Sequence, residues 1–338
     1  MRILGVDVGG AHVKTAVAQI DGPKAHLFPR RVYPYEIFKR KDDLVEILQN
    51  AVAREKPDGV ALTMTGELSD VFKNRWEGAR WIIRTALSAI GGKPLKVLNV
   101  DGMLVSPATA LRAPSTAASA NWAATAKFVS GMIQRCVIVD IGSTTTDILP
   151  IFGGKPAVRG KTDLERLAHG ELLYTGYLRT PARAVLPEIT VGRKILNLCP
   201  EFFAVVGDAH IYLGQIRARD YTITTPDRGA KTKKGAGKRL ARLVLSEPGE
   251  LGDSHLKSLA VQLVERNALN IARAVNRVMR ERKLSGAPVI LMGPGRIYKK
   301  ALMKKIQSPF HDTVNGVPVE LLDPAACCAA LWEERGRG

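Results

Sequence analysis

Two glycine turns, each preceded by an aspartate, are the part of this sequence best suited to chemistry. Asp7 precedes Gly9 and Gly10, and Asp140 precedes a turn formed by residues 142–146. Glycines allow backbone N–H groups to approach an anion without obstruction by a Cβ atom. A carboxylate beside such a turn would repel a phosphate by itself, so its expected use is to hold Mg²⁺ through water. Each turn is therefore predicted to bind phosphate oxygens with the help of a magnesium ion.

The second turn also carries hydroxyl groups, which can donate hydrogen bonds to phosphate oxygens. Four hydroxyl side chains follow one another at residues 143–146, and a further carboxylate comes directly after them. Mg²⁺ is usually held by one or two protein carboxylates together with waters and phosphates. The predicted phosphate-binding residues of the two turns are Gly9, Gly10, Gly142, Ser143, Thr144 and Thr145, and the predicted metal ligands are Asp7, Asp140 and Asp147.

A weak internal repeat relates the two turns. A shift of 133 residues (136 − 3) places residues 3–10 over residues 136–143. In both copies a strand rich in β-branched residues runs into a tight turn and then into a second strand. Lys14 falls opposite Asp147 in this register, and we predict that it contacts phosphate or pairs with a carboxylate. Such a repeat predicts two domains of similar fold.

A third glycine segment follows later in the chain. Residues 289–292 are apolar and lead into Gly293 and Gly295, which would bring backbone close to a base or a ring. A single Asp-Gly turn could equally be an ordinary β-turn, and a single strand end carries little information. Two copies of the turn together with this third segment favour a cradle for a nucleotide or a diphosphate.

Hydrophobic periodicity predicts an alternation of strands and helices, which is typical of an α/β fold with a mixed sheet. The predicted domains are residues 1–130 and residues 131–322, with a C-terminal helix at 323–335 that closes the first domain. Residues 228–238, rich in Lys and Gly, are predicted to form an exposed mobile loop. The predicted helices are 42–54, 76–90, 115–128, 256–282 and 324–334, and the predicted strands between and after the turns are 59–65, 95–100 and 288–292.

The order of the three glycine segments resembles the two phosphate loops and the adenosine loop of the actin/sugar-kinase/Hsp70 superfamily. Residues 140–147, Asp-Ile-Gly-Ser-Thr-Thr-Thr-Asp, are similar to the hydantoinase A/oxoprolinase branch of that superfamily. The resemblance implies an α/β fold with two ribonuclease H-like domains around a central cleft.

Residues 63–70, 99–102 and 118–122 narrow the resemblance to a short family associated with tetrahydromethanopterin-linked one-carbon metabolism. Archaeal members of this family make a precursor of methanofuran. The resemblance spans nearly the whole chain and implies a transferase. The implied reaction joins an aminomethylfuran that carries a methyl diphosphate to the phenol of γ-glutamyltyramine, which forms an ether and releases pyrophosphate.

The implied reaction suits the predicted residues. A furylmethyl carbon can bear positive charge as its diphosphate departs, so the catalyst must mainly stabilise the leaving group. A cradle shaped for the phosphates of ATP could do this without ATP hydrolysis, so Mg²⁺ is the expected cofactor and ATP is not favoured. An ATP-dependent small-molecule kinase or ATPase of the same superfamily is the alternative that the same three segments would support.

The phenol, whose reference pKa is about 10, would benefit from a base within hydrogen-bond reach. Glu67, Asp70 and Asp101 each follow a predicted strand end, where α/β folds usually place function. Glu67 is preferred because Gly66 permits a close approach, and a turn or helix-cap role is the alternative for each carboxylate. The predicted catalytic residues are Glu67, Asp101 and Lys14, and the predicted substrate contacts are Asn121 and Trp122, although a Trp among alanines also fits packing.

Charge and composition limit the choice of partners. The formal net charge is +18, and residues 228–242 carry seven Lys or Arg and no Asp or Glu. Such a surface attracts nucleic acid or small anions. Without zinc-finger spacing or an aromatic ribonucleoprotein motif, a solvated basic surface and a small anionic substrate are preferred, and a nucleotide-gated or nucleic-acid-associated protein is the alternative. No apolar run approaches the ~20 residues that span a bilayer, and four cysteines without metal-ligand spacing predict a reduced, cytoplasmic setting.

Overall fold

The computed structural model describes residues 1–332, which divide into two compact units. The first unit contains Met1–Ile138, Leu149–His169 and the residues from His311 onward, and the second contains Val139–Ile148 and Gly170–Phe310. The domain boundaries predicted from the sequence, 1–130 and 131–322, stay a prediction. Residues 333–335 of the predicted C-terminal helix lie outside the described residues.

The chain begins with four strands, after which helices and strands are interspersed. The strands are β1 Arg2–Val8, β2 His12–Asp21, β3 Lys24–Leu27, β4 Arg31–Pro34, β5 Gly59–Met64, β6 Leu95–Leu98, β7 Leu104–Val105, β8 Arg135–Ile141, β9 Thr146–Phe152, β10 Lys155–Pro156, β11 Leu172–Leu173, β12 Glu188–Val191, β13 Lys194–Asn197, β14 Val289–Met292, β15 Phe310–His311, β16 Thr313–Val314 and β17 Val317–Pro318. The α-helices are α1 Ile37–Arg40, α2 Asp43–Glu55, α3 Arg75–Ala89, α4 Pro107–Arg112, α5 Asn121–Ser130, α6 Asp163–Ala168, α7 Ala182–Val185, α8 Val206–Tyr212, α9 Lys233–Arg242, α10 Pro248–Leu251, α11 Asp253–Glu281, α12 Lys299–Met303 and α13 Pro324–Ala330. Short 3₁₀ helices span Pro114–Thr116, Ala218–Asp220, Pro294–Tyr298 and Val319–Leu321.

The first sheet has the strand order β3-β2-β1-β5-β6-β7, with β4 paired to β2. Its central strand β1 is antiparallel to β2 and parallel to β5, and this register places Asp7 between Lys14 and Thr63. Helix α13 packs on β1 so closely that a Cβ atom at Gly5 would overlap the carbonyl oxygen of Ala325. The close packing therefore depends on small residues of α13 and on a glycine, Gly5, at the contact on β1. The two adjacent cysteines of α13, Cys327 and Cys328, are both buried.

The second sheet has the order β10-β9-β8-β14-β15, with β11 paired to β9. Its first four strands repeat the β3-β2-β1-β5 succession of the first sheet. The two turns close with the same hydrogen bond, from Gly9 N–H to the His12 carbonyl and from Gly142 N–H to the Thr145 carbonyl, each at 2.9 Å. These two bonds are 133 residues apart (142 − 9), which confirms the repeat register found in the sequence.

Most of the predicted helices and strands are confirmed, but two predictions are wrong. The helix predicted at 115–128 begins only at Asn121, because a 3₁₀ turn and a positive φ of +49° at Ser119 precede it. The predicted mobile loop at 228–238 instead runs into helix α9, whose N-cap is Thr232. Arg239 of this helix is fully buried and pairs with Asp208 at 2.8 Å and with Asp227 at 3.0 Å. A basic run that resembles a solvated surface therefore contributes an ion pair to the core.

No helix within residues 1–332 is both long and apolar enough to cross a membrane.

Candidate functional site

Asp7 lies at the end of strand β1, directly before the first glycine turn. Its carboxylate is buried, and its Oδ2 accepts a hydrogen bond from Lys14 Nζ at 3.3 Å. Within the described residues no group donates to its other oxygen, Oδ1. Burial raises the pKa of Asp7, while Lys14 and the side chain of Asn121 favour the charged form. Three predicted site residues, Asp7, Lys14 and Asn121, are thus neighbours in the first unit.

The segment after strand β5 lies against this turn. The N–H groups of Thr65 and Gly66 both donate to the Val8 carbonyl at 2.9 Å, and a Cβ atom at Gly66 would come within 3.0 Å of the Gly9 backbone. Glycine at position 66 therefore permits close contact with the first turn. The preference for Glu67 as the base rests on this close approach. Glu67 follows immediately and is fully buried.

Glu67 belongs to a cluster that the sequence did not indicate. Its Oε1 lies 2.7 Å from Ser119 Oγ and 3.3 Å from an Arg75 guanidinium nitrogen. Ser119 Oγ lies 2.9 Å from Asp163 Oδ2. Burial is the main cause that raises the pKa of Glu67, the Asp163 carboxylate raises it further, and Ser119 and Arg75 lower it. Its second oxygen, Oε2, has no hydrogen-bond partner within the described part of the chain.

The other predicted residues of the first unit occupy different surroundings. Asp101 is exposed, and its Oδ1 forms an ion pair of 2.5 Å with Lys161. Trp122 is buried, and the Arg166 guanidinium lies 4.5 Å from the centre of its ring. These positions favour Glu67 over Asp101 as the base and favour packing for Trp122, while the roles predicted for Asp101 and Trp122 stay predictions.

Helix α6 and the residue before its N-cap contact Asp101, Ser119 and Trp122. Lys161 pairs with Asp101, Asp163 contacts Ser119, and Arg166 covers Trp122. The helix begins with a capping box in which the side chains of Thr162 and Glu165 each bond the backbone of the other. That pattern, Thr-x-x-Glu, was the signal in the sequence that could have located this helix.

In the second unit, the turn after Asp140 is held by the segment that follows β11. The carbonyl of Gly142 accepts from Tyr177 N–H at 3.1 Å, and the carbonyl of Ser143 accepts from the N–H of Arg179 at 2.9 Å. Thr146 is buried and donates to the Thr175 carbonyl at 2.7 Å. The side chains of residues 143–145 are only partly buried. Three of these four residues are therefore partly exposed, and the hydroxyl of the fourth, Thr146, is bonded within the fold.

The third glycine segment lies against the same turn. Gly293 has a φ of +74°, and a Cβ atom at this position would overlap Asp140 Oδ1 and the carbonyl of Ile141. A Cβ atom at Gly295 would overlap the side chain of Ile141. The structure thus brings Asp140, Gly142, Gly293 and Gly295 together, and both glycines of the third segment are required by the close approach.

A buried polar network connects the segment after β11, which supports the second turn, with the third glycine segment. Asn267 Nδ2 donates to the Gly176 carbonyl at 3.0 Å and to the Tyr298 hydroxyl at 2.9 Å. The Thr175 hydroxyl donates to Asn267 Oδ1 at 2.7 Å, and the Tyr298 hydroxyl lies 2.9 Å from His210 Nε2. Burial lowers the pKa of His210 to about 4. A neutral His210 can accept from Tyr298, so each member of the network has a partner.

The described residues contain no group of three His, Cys, Asp or Glu side chains that could hold a metal ion. Asp7 nevertheless presents a buried oxygen, Oδ1, without a donor. One available carboxylate oxygen fits a magnesium ion that takes its other ligands from water and phosphate, rather than a site made of protein ligands alone.

Comparison with known proteins places these residues in a family. The sequence model of the hydantoinase/oxoprolinase family matches residues 58–308. A protein of Methanocaldococcus jannaschii, named (4-{4-[2-(gamma-L-glutamylamino)ethyl]phenoxymethyl}furan-2-yl)methanamine synthase, is 34% identical over 337 residues, which cover 99% of this chain and 98% of that protein. A Methanococcus vannielii protein of the same name is 36% identical over 213 residues, covering 61% of this chain and 95% of that protein.

The structure also resembles a solved one. Nucleotide-free acetone carboxylase matches with a TM-score of 0.60 and 10% identity over 98% of this chain and 70% of that chain. At this identity the likeness concerns the fold alone. Together with the four-strand succession that the two sheets share, it confirms the predicted α/β fold of the actin/sugar-kinase/Hsp70 type with two similar domains.

Proposed function

Because the chain belongs to the hydantoinase/oxoprolinase family, we propose that it is a transferase of methanofuran biosynthesis. It joins an aminomethylfuran that carries a methyl diphosphate to the phenol of γ-glutamyltyramine, and it releases pyrophosphate. The observation that carries this proposal is the 34% identity to the M. jannaschii synthase over 99% of the chain. The substrates are small molecules, and the diphosphate makes one of them anionic.

The reaction breaks one C–O bond and forms another. The bond between the furylmethyl carbon and the diphosphate oxygen breaks, and its electron pair leaves with the diphosphate. The phenol oxygen bonds to the same carbon, and the phenol proton passes to a base. Because the furan ring stabilises positive charge on this carbon, the protein must mainly stabilise the departing negative charge and remove the proton.

Each glycine turn, taken by itself, has donors for phosphate oxygens. The N–H groups of Gly9 and Gly142 are occupied because they close their turns. The N–H groups of Gly10 and Ser143 have no acceptor within residues 1–332. The donors proposed for phosphate are therefore these two amides and the side-chain hydroxyls of the second turn. Gly9 and Gly142, which the sequence predicted to bind phosphate, are proposed to have a conformational role instead.

The expected metal has a place beside the first turn. Asp7 Oδ1 would hold Mg²⁺ through water, and Mg²⁺ would supply positive charge to the leaving diphosphate. Asp140 and Asp147, both half-buried, are proposed for the same use beside the second turn. Lys14 favours the charged form of Asp7, because an ammonium group 3.3 Å away opposes the larger effect of burial on its pKa. ATP has no part in this scheme.

Glu67 is proposed as the base. It directly follows Gly66, which packs on the first turn, and this turn is the one proposed to bind phosphate. A buried carboxylate with a raised pKa is a stronger base once ionised, which suits removal of a phenol proton. The oxygen without a partner, Oε2, is the atom assigned to accept that proton.

The test is synthesis from purified components. The protein, Mg²⁺, the furan diphosphate and γ-glutamyltyramine are mixed without ATP, and the ether and pyrophosphate are followed by mass spectrometry and an enzymatic pyrophosphate assay. The proposal expects one pyrophosphate for each ether. A kinase or ATPase would instead consume ATP and form no ether, which would overturn the proposal.

A further inference from the structure

One serine hydroxyl lies between two carboxyl groups in the first unit. Ser119 Oγ is 2.7 Å from Glu67 Oε1 and 2.9 Å from Asp163 Oδ2. An Arg75 guanidinium nitrogen approaches the same Oγ at 3.0 Å. Both carboxyl contacts are within normal O–H···O hydrogen-bond distance.

The number of hydrogens decides how these contacts are made. A serine hydroxyl has one hydrogen and can donate to one of the two carboxyl groups at a time. Two ionised carboxylates accept only, so a second full hydrogen bond at Ser119 Oγ forms when Glu67 or Asp163 carries a proton. Arg75 cannot supply it, because its hydrogens lie on nitrogen and its guanidinium does not deprotonate in proteins. The cluster therefore has the geometry to hold one carboxyl proton in addition to the hydroxyl hydrogen.

The backbone holds the serine in this place. Ser119 has a φ of +49°, a conformation that costs a residue with a Cβ atom about 1–3 kcal/mol. It lies between buried Ala118 and buried Ala120, immediately before α5. Backbone strain of this kind persists only where the surroundings enforce it, and it concentrates at functional positions.

The two carboxyl groups differ in exposure. The side chain of Glu67 is 0% exposed, whereas that of Asp163 is 27% exposed. The charged groups that face Glu67 are Arg75 at the start of α3 and Asp163 at the start of α6. Ser119 thus connects the buried carboxyl group of Glu67 to the partly exposed carboxyl group of Asp163.

We propose that Ser119 and Asp163 are positioning residues that share one proton with Glu67 and carry protons from it to solvent. The proton-sharing is a property of the free protein, and only its use in removing the phenol proton rests on the proposed function.

The steps balance over one turnover. In the resting arrangement Glu67 carries the proton and donates to Ser119, which donates to ionised Asp163. A shift of both hydrogens along the chain leaves Asp163 protonated and Glu67 ionised. Glu67 then accepts the phenol proton, and Asp163 releases its proton to water. Rotation of the Glu67 carboxyl group, which brings the new proton from the side of Oε2 to the side of Ser119, and rotation of the Ser119 hydroxyl restore the resting arrangement. The net change is one phenol proton delivered to solvent.

The test follows the titration of Glu67 in the free protein by NMR of carboxyl groups labelled with ¹³C, with Glu67→Gln to assign the signal. Ser119→Ala removes a donor that stabilises the ionised form, so Glu67 should titrate at higher pH. Asp163→Asn removes a neighbouring negative charge, so it should titrate at lower pH. We expect opposite displacements of about half a pH unit or more.

Two controls match these variants. Ser115→Ala changes an exposed serine in the same segment, and Asp21→Asn changes an exposed aspartate at the end of β2. Neither should move the Glu67 signal. If Ser119→Ala and Asp163→Asn displace the titration in the same direction, or leave it unchanged, the shared proton is refuted. This result is independent of ether synthesis, so failure of the proposed function would be recognised separately by the absence of product.

Discussion

Lys14 Nζ lies 3.3 Å from Oδ2 of Asp7, its cross-strand neighbour in the first sheet. The pair joins a partly exposed ammonium to a carboxylate that is almost completely buried. Burial raises the pKa of Asp7 and favours the neutral acid, whereas the ammonium favours a negative charge beside the first glycine turn. The proposed metal site therefore depends on a lysine as much as on the aspartate.

Replacing Lys14 by Met should weaken both folding and activity. The variant leaves Asp7 buried without its cation, and we expect a loss of about 1–3 kcal/mol in the free energy of unfolding. Activity should fall by about 10²-fold or more, because the charge beside the turn is lost. Urea denaturation and the pyrophosphate assay measure the two effects.

The double variant Lys14→Met/Asp7→Asn separates these effects. It removes the unpaired carboxylate, so stability should recover while activity stays low. Lys24→Met, which replaces an exposed lysine of β3, is the control. Normal activity in the double variant would show that neither charge serves the reaction.

Asn267 is expected to hold the second turn and the third glycine segment in place. Asn267→Leu would leave the Thr175 hydroxyl, the Gly176 carbonyl and the Tyr298 hydroxyl short of a partner, which should cost about 3 kcal/mol of unfolding free energy. Asn270→Leu lies on the same helix and breaks no hydrogen bond of the described residues, so it is the matched control. Equal stability of the two variants, measured by thermal unfolding, would contradict this assignment.

His210 should make the protein sensitive to acid. Its pKa in the folded state is about 4, below its ordinary value of 6.5, because burial disfavours the charged ring. Between these two values the unfolded chain binds a proton that the folded state does not. The free energy of unfolding should therefore decrease by about 1.4 kcal/mol per pH unit as the pH falls from 6.5 toward 4.

A variant without the ring tests that slope. His210→Gln should be less stable at neutral pH because of imperfect packing, yet its stability should change less with pH over the same range. His26→Gln, at an exposed position, should keep the slope of the parent protein. An unchanged slope in His210→Gln would show that His210 is not a neutral buried group in the folded protein.

Glu67 should affect the pH dependence of the free energy of unfolding in the direction opposite to His210. Its pKa is raised in the folded state, so above its ordinary value of 4.5 the folded protein keeps a proton that the unfolded chain has lost. Stability should therefore decrease as the pH rises from 4.5 through the raised pKa. Glu67→Gln should remove this loss, so its stability relative to the parent protein should increase with pH in this range, while its turnover falls about 10²–10⁴-fold.

Glu46→Gln, at an exposed position on α2, is the control for this variant. A Glu67→Gln protein with normal turnover would exclude Glu67 as the base. A stability difference that does not depend on pH would instead mean that the carboxyl group is ionised in the folded protein as it is in the unfolded chain.

Local patterns in the sequence were sufficient for the turns and for the fold. The repeat predicted the two hairpins because each is specified by residues adjacent in the chain, and the bonds closed by Gly9 and Gly142 confirm it. Gly66 was also informative, since a glycine before a candidate carboxylate predicts close backbone contact, and it packs on Gly9. The prediction that Asp7 is a metal ligand likewise followed from its immediate neighbours, Gly9 and Gly10.

Contacts between distant segments could not be predicted in this way. Ser119 and Asp163 are 44 residues apart, and no local pattern in the sequence relates one to the other. Their positions depend on the folding of α6 onto the residues before α5. The basic neighbours of Arg239 predict a solvated surface, and only the pairing with Asp208 and Asp227 explains why this side chain is buried. Charge patterning describes the average surface, whereas an individual ion pair depends on the tertiary fold.

The central claim is that this chain forms an ether with a diphosphate as the leaving group. The most direct measurement mixes the purified protein and Mg²⁺ with the aminomethylfuran-methyl diphosphate and γ-glutamyltyramine in the absence of ATP, and records the ether by mass spectrometry together with released pyrophosphate. We expect equal amounts of both products, and neither product with Glu67→Gln in the same time. No ether despite intact substrates, or product only when ATP is added and consumed, would contradict the claim.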